Sequence, residues 1–170
     1  IDLGFDVFRG SENDVLNRYD LTAKKYSPNT VVRITGDCPL IDPELVDEII
    51  NFYQKKNVDY ASNVDPPTYP DGLDVEVFSS DALHSANINA IESFDREHVT
   101  PHIRRSSKIK RANFHNPKDF SSERWTVDNI EDYEVVKNIF NHFKPNIYFS
   151  WYEVIQLKKV SPDFFLANQN

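Results

Sequence analysis

The order strand, aspartate, helix occurs twice in this chain, and it restricts the fold more than any other feature. The run VVRIT, residues 31–35, ends in Gly36-Asp37, with Cys38-Pro39 directly after it. Next comes DPELVDEIINFYQKK, where Leu45, Val46, Ile49, Ile50 and Tyr53 share one helical face. Asp42 is placed there to cap, with Pro43 at the first helical position. The same order returns at RWTVD, residues 124–128, followed by NIEDYEVVKNIFNHF with Tyr133, Val136, Ile139 and Phe140 on a common face. Strands alternating with such helices specify an α/β sheet layered with helices. Ligands of these sheets gather at the carboxyl ends of the strands, where Asp37 and Asp128 both fall. Two carboxylates there can share a hard cation such as magnesium, which keeps positions for water and substrate phosphates. Each aspartate taken alone is equally suited to cap the segment that follows it.

The remaining chain fits the same class. VDYAS reads as a short strand, and Asp71-Gly72 as a turn before LDVEVF, in which apolar Leu73, Val75 and Val77 alternate with Asp74 and Glu76. The acidic pair therefore shares one strand face. Ser80 or Asp81 is placed to cap ALHSANINAI, and Asp95 to cap REHVTPHIRR, which Pro101 interrupts. KRANF reads as a further strand, and Ser150 and Glu153 have capping-box spacing ahead of WYEVIQLKKV. At the front, DVFRG suggests a short strand and a turn at Gly10, followed by a helix carrying Val15, Leu16, Tyr19 and Ala23. Connections are short and no internal repeat is present, which predicts a single domain over residues 1–170.

Charge and composition exclude several classes. With 27 acidic and 19 basic residues the net charge is −8, which repels nucleic acid and anionic membrane surfaces. One cysteine, Cys38, rules out an internal disulfide and a multi-cysteine metal site, and fits a reducing cytoplasm. No apolar run is long enough to cross a membrane. The chain contains no methionine, so the reading is of a fragment or of a chain processed at its N-terminus.

The segments RITGDCPLIDPELVDEII, TYPDGLDVEVFS, FDREHVTPHIR and RWTVDNIEDYEVV together resemble the spore-coat polysaccharide cytidylyltransferases of the SpsF type, from about Val7 to Val154. These are similar to the synthetases that activate acidic sugars as CMP derivatives. The resemblance implies a three-layer, Rossmann-like nucleotide-diphosphosugar transferase fold, CTP and a small, acidic sugar as substrates, magnesium as cofactor, and a product for surface or spore-coat polysaccharide. It also leaves a homodimer open. By motif it assigns the catalytic magnesium to Asp37 and Asp128. Gly36 would admit the nucleotide or sugar close to the backbone, and Ser11, Asp14 and Arg18 would lie near the base or ribose. Tyr69, Asp71, Asp74, Glu76, Arg96 and His98 would lie nearer the sugar, and Cys38 becomes a packing residue. Such enzymes begin with a strand and a glycine- and arginine-rich loop that cradles the triphosphate, and nothing in this chain matches it. The resemblance thus expects the first strand, the loop and the first helix upstream of Ile1, with the 170 residues forming the C-terminal three quarters of the domain and inactive alone.

Competing readings stand beside these. His98 and His102 have zinc-ligand spacing, interrupted by Pro101 and lacking an evident third ligand. Arg96 is placed to pair with Asp95 or Glu97. Asp74 and Glu76 suit either the metal pair of a glycosyltransferase that uses a sugar nucleotide or a solvent-facing strand edge. Trp125 suits the core. Without a triphosphate loop, a non-catalytic sugar- or nucleotide-binding module is also open.

Overall fold

The computed structural model describes residues 3–168. The chain is mixed α/β and divides into two compact units, each assembled from separate stretches. The first takes the chain as far as Val32, then Tyr53–Ala61 and Val77–Ala112. The second takes Arg33–Phe52, Ser62–Glu76 and the chain from Asn113 onward.

Most of a four-stranded sheet lies in the first unit: β1 (Thr30–Arg33), β2 (Tyr60–Ser62), β3 (Glu76–Ser79) and β4 (Arg111–Asn113), in the order β1-β3-β2-β4. Helix α1 (Val15–Tyr26) begins where Asp14 accepts the Asn17 amide at 3.1 Å. Its Leu16 is fully buried with Tyr60, Phe78, Leu83, Val99 and Ile103, and Val15, Tyr19 and Ala23 pack against the same cluster. Full burial of such side chains contributes roughly 1.5–3 kcal/mol each. Strand β1 forms one edge of the sheet and leaves Val32 exposed.

Helices α3 (Ser80–Asn89), α4 (Ser93–His98) and α5 (Pro101–Arg105) depart from the sequence reading in their caps. Ser79, still extended at the end of β3, caps α3, so Ser80 is already helical and Asp81 sits in the first turn. The chain turns from strand to helix with no loop between. Asp95 lies inside α4 and caps nothing, because its carboxylate is taken by Arg105 at 2.6 Å. The predicted break precedes Pro101: Val99 has φ +70° and separates α4 from α5. The strand expected over DVFRG does not form. Residues 5–10 are irregular, and Phe5 and Val7 stand exposed with no neighbouring ladder to pair with.

The second unit holds α6 (Ile130–Phe143), α7 (Trp151–Val160), the 3-10 turn Pro162–Phe165 and the first part of α2 (Pro43–Lys56). Ser150 and Glu153 form the predicted capping box. Asp42 does more than the sequence indicated. One carboxylate oxygen accepts the Glu44 and Leu45 amides of α2 at 2.9 and 3.3 Å, and the other accepts the Trp151 amide of α7 at 2.9 Å.

Two predicted strands shrink for identifiable reasons. LDVEVF enters the sheet only at Glu76, because the Asn63 side chain takes the place of a partner strand, donating to the Leu73 carbonyl at 2.8 Å and accepting from the Val75 amide at 2.9 Å. RWTVD is extended, yet its only ladder contact is a bridge between Arg124 and Asp71. Gly72 makes that approach feasible. Its φ is +105°, and a Cβ would come within 2.7 Å of the Trp125 carbonyl carbon.

Asp42→Ala removes a cap from two helices at once, and we expect a loss of about 2 kcal/mol, seen as a fall of about 4–8 °C in Tm by circular dichroism. Asp42→Asn should retain most of it, since asparagine caps nearly as well.

Candidate active site

The site is built in the second unit from the two Asp-bearing segments. The Asp37 carbonyl accepts from the Val127 amide at 2.8 Å and the Thr126 hydroxyl at 3.3 Å, which ties the segment ending in Asp37 to the one ending in Asp128. The Asp37 carboxyl is held below the usual carboxylate range, first by the Thr35 hydroxyl. Its own backbone N–H, the Cys38 thiol and the Thr126 hydroxyl help, against opposing burial. It is therefore ionised at neutral pH. Cys38 is buried, 3.0 Å from the Thr35 hydroxyl, and burial pushes its thiol up to about 11. A thiol so disfavoured as thiolate suits packing and not attack.

Asp128 is not the cap of α6. Asn129 is, accepting the Asp132 amide at 2.9 Å. The Asp128 carboxylate instead meets Arg124 at 2.6 Å. Arg124 also donates to Asp71 at 3.1 Å and, through Nε and Nη2, to both oxygens of Asp132 at 3.1 and 2.9 Å. Asp132 is fully buried and also accepts from the Asp128 amide and the Asn168 side chain, at 3.1 and 3.0 Å. Arg124 above all holds its carboxyl down at about 2.

The remaining carboxylates carry a surplus of negative charge. Asp71 is raised by burial and by Asp128, Asp37 and Asp132, with Arg124 opposing. Asp37 and Asp128 thus both act on one group. Asp74 is pushed up to about 6, first by burial, then by Asp71 and Glu76, with a smaller push from Asp37 and with Arg33 opposing. Glu76 is not the solvent-facing residue of the simplest reading. It is buried and receives Arg33 at 2.6 Å. Beside this group opens a cleft of about 500 Å³ lined by Gly36, Asp37, Val127, the α6 residues Tyr133, Lys137 and Phe140, and Lys144 just past the helix end. Asp128 is not among its lining residues, and a Cβ on Gly36 would meet nothing within 4 Å.

The other sequence-selected residues are dispersed. Tyr69 is buried in the second unit, stacked on Phe114 with ring centroids 6.1 Å apart and edge-on to Trp151. Ser11, Asp14, Arg18, Arg96 and His98 belong to the first unit. There Arg96 pairs with neither Asp95 nor Glu97. It grips both oxygens of Asp14, at 2.9 and 2.7 Å, along with the Asn87 side chain and carbonyl at 2.8 Å each. The Ser11 hydroxyl accepts the Asp14 amide, and the Ser11 carbonyl accepts from Arg18. His98 lies against Phe94, and His102 is 3.8 Å from Asp95. Among the described residues no three His, Cys, Asp or Glu side chains converge as a cation site, which leaves the zinc reading without a third ligand. The sequence reading missed Arg124 and Asp132 as a unit. No spacing rule marks them, because Arg124 lies in the extended segment before α6 and only Asp132 lies on the helix.

An α/β architecture with the ionised Asp37 on a cleft wall suits an enzyme that handles phosphates through a cation, and the comparisons make the class specific. The chain belongs to the cytidylyltransferase family, whose model matches residues 1–161. It is 34% identical over 164 residues to the spore coat polysaccharide biosynthesis protein SpsF of Bacillus subtilis (strain 168), spanning 94% of this chain and 67% of that protein. An uncharacterized protein of Methanocaldococcus jannaschii is 40% identical over 144 residues, 83% of this chain and 58% of that one. The solved cytidylyltransferase of Leptospira borgpetersenii serovar Hardjo-bovis (strain JB197) matches with a TM-score of 0.92 at 34% identity, covering 99% of this chain and 71% of that chain. This chain therefore spans between about three fifths and seven tenths of the length of these relatives. Among the described residues no helix is long and apolar enough to cross a membrane.

The raised Asp74 gives a signed pH dependence. Its folded pKa, about 6, lies above the unfolded value, so its ionisation destabilises the fold as pH rises through that window, and the penalty is absent below about pH 4. Asp74→Asn should then be more stable than the parent at pH 8 by on the order of 2 kcal/mol in urea unfolding, with the difference vanishing near pH 4.

Proposed function

We propose that the protein transfers the cytidylyl group of CTP to an acidic sugar, releasing pyrophosphate and supplying a CMP-sugar for surface or spore-coat polysaccharide in the cytoplasm. The observation that carries this reading is the ionised Asp37 on the cleft wall, in a group of carboxylates where burial first and neighbouring negative charge second raise Asp71 and Asp74. An all-oxygen donor set of this kind suits magnesium. Asp37 and Asp128 would hold it as a pair, leaving the other positions to water and phosphate. Magnesium bound there would neutralise charge that builds on the phosphates during transfer.

The chain's own groups account for the rest. Thr35 and Thr126 keep Asp37 aimed and ionised. Asp74, raised to about 6, keeps a protonated fraction nearer neutral pH than an ordinary aspartate and can donate to or accept from a sugar hydroxyl. Lys137 and Lys144 supply cations to the cleft wall. With a sugar hydroxyl as attacking group no covalent intermediate on the protein is needed. Ser11, Asp14 and Arg18 are nucleotide contacts, and Arg96 and His98 sugar contacts, on the strength of the family resemblance. A homodimer is proposed on the same ground.

The direct test supplies the full-length protein, since the 170 residues alone are expected to be inactive, with CTP, magnesium and a panel of acidic sugars and follows pyrophosphate. Sugar-dependent release supports the reading. Turnover of a sugar nucleotide without pyrophosphate would assign a glycosyltransferase, and CTP binding with neither product would assign a binding module. Asp128→Asn should lower kcat on the order of a hundredfold, about 2.7 kcal/mol of barrier, at unchanged melting temperature. A loss of only a few-fold at saturating magnesium would remove Asp128 from the mechanism.

A further inference from the structure

Arg124 touches three of the carboxylates described above, and its contacts fall into two sets. Inward, Nε and Nη2 form a two-point clasp on Asp132, a carboxylate with no exposed side-chain surface. Outward, Nη1 meets Asp71 at 3.1 Å, and Nη2 meets Asp128 at 2.6 Å. The inward set is anchored, since Asn168 and the Asp128 amide complete the shell of Asp132. The outward set is open to solvent, with the Asp71 and Asp128 side chains about half exposed at 48% and 57%.

A buried two-point clasp and an exposed one-point contact differ greatly in how readily they break. Removing a partner from a buried pair leaves an uncompensated charge, whereas an exposed ion pair is worth about 0–1 kcal/mol. A divalent cation can therefore take Asp128 from Arg124 while Asp132 holds the guanidinium in place. Resting on the reading of Asp128 as a cation ligand, we propose that Arg124 is a positioning residue: anchored on Asp132, it fixes the Asp71 and Asp128 carboxylates and gives Asp128 up to the divalent cation. Arginine is required because its planar fork reaches three carboxylates, whereas a lysine ammonium is a single point charge.

The test is Arg124→Lys, which keeps a cation for buried Asp132 and loses the bridge. Manganese, titrated in the absence of nucleotide and read by electron paramagnetic resonance, should bind at least about threefold more tightly because Asp128 is no longer claimed. In the same variant kcat for pyrophosphate release should fall at least about threefold, with KM for CTP nearly unchanged, because Asp71 is no longer held in place for the transition state. Adding Asp128→Asn to Arg124→Lys should abolish the gain in manganese affinity. A manganese affinity no tighter than that of the parent overturns the proposal, as does a kcat within about threefold of it. Should the lysine variant not fold, the Arg124 Nη2–H resonance of the unaltered protein decides, because Nη2 is the donor that Asp128 leaves. It should shift and saturate as magnesium is added, and an unmoved signal overturns the proposal. The cation titrations need no turnover, so a protein that releases no pyrophosphate would overturn the function proposed above while leaving this question decidable.

Discussion

A fully buried carboxylate is the constraint around which the second unit is arranged. Asp132, with no exposed side-chain surface, would be strongly destabilising if left bare, because the interior offers no water to solvate its charge. Four donors replace that water: two from Arg124, one from Asn168 and the Asp128 amide. The extended segment before α6 must consequently run where Arg124 can reach inward. That course places Val127 against the Asp37 carbonyl. The position of the candidate active site follows from the solvation needs of a residue outside it.

The first unit satisfies a comparable demand in another way. Asp20, buried within α1, is surrounded by Lys24 at 2.7 Å, His84 at 3.1 Å and Asn87 at 2.8 Å, and Asn87 in turn meets Arg96, which holds the α1 cap Asp14. Helices α1, α3 and α4 are thus joined by a continuous polar network at one side of an apolar cluster. Such networks specify one arrangement when every member is satisfied. Asp14, Arg18 and Arg96, selected in the sequence as substrate contacts, are parts of this structural circuit or its neighbours.

Much of the architecture was legible because it rests on local signals. The face of α1, the start of α2 at Asp42-Pro43, the capping box of α7 and the break before Pro101 all depend on residues a few positions apart. The alternation of strand and helix announced the α/β class. What was not legible depends on partners distant in sequence. Asp14 and Arg96 are 82 positions apart, and Asn63 replaces a strand for Leu73 and Val75. RWTVD has the composition of a strand, but strand formation needs a neighbour, and its neighbour is a glycine turn. Asp37 and Asp128 could be singled out because strand ends are where α/β proteins hold ligands. Arg124 and Asp132 carry no such positional mark, and their importance emerges only with burial.

The double engagement of Asp42 links events that the chain keeps 109 residues apart. A single carboxylate is the acceptor for the leading amides of α2 and for the first amide of α7, so neither helix start can open without disturbing a shared side chain. The two N-termini therefore behave as one opening unit: amide protons at Leu45 and Trp151 gain their protection from solvent exchange together and lose it together. Contacts of such long span are also costly in loop entropy to form early, which assigns this joint to the late, consolidating stage of folding, after α2 and α7 have each acquired their own turns.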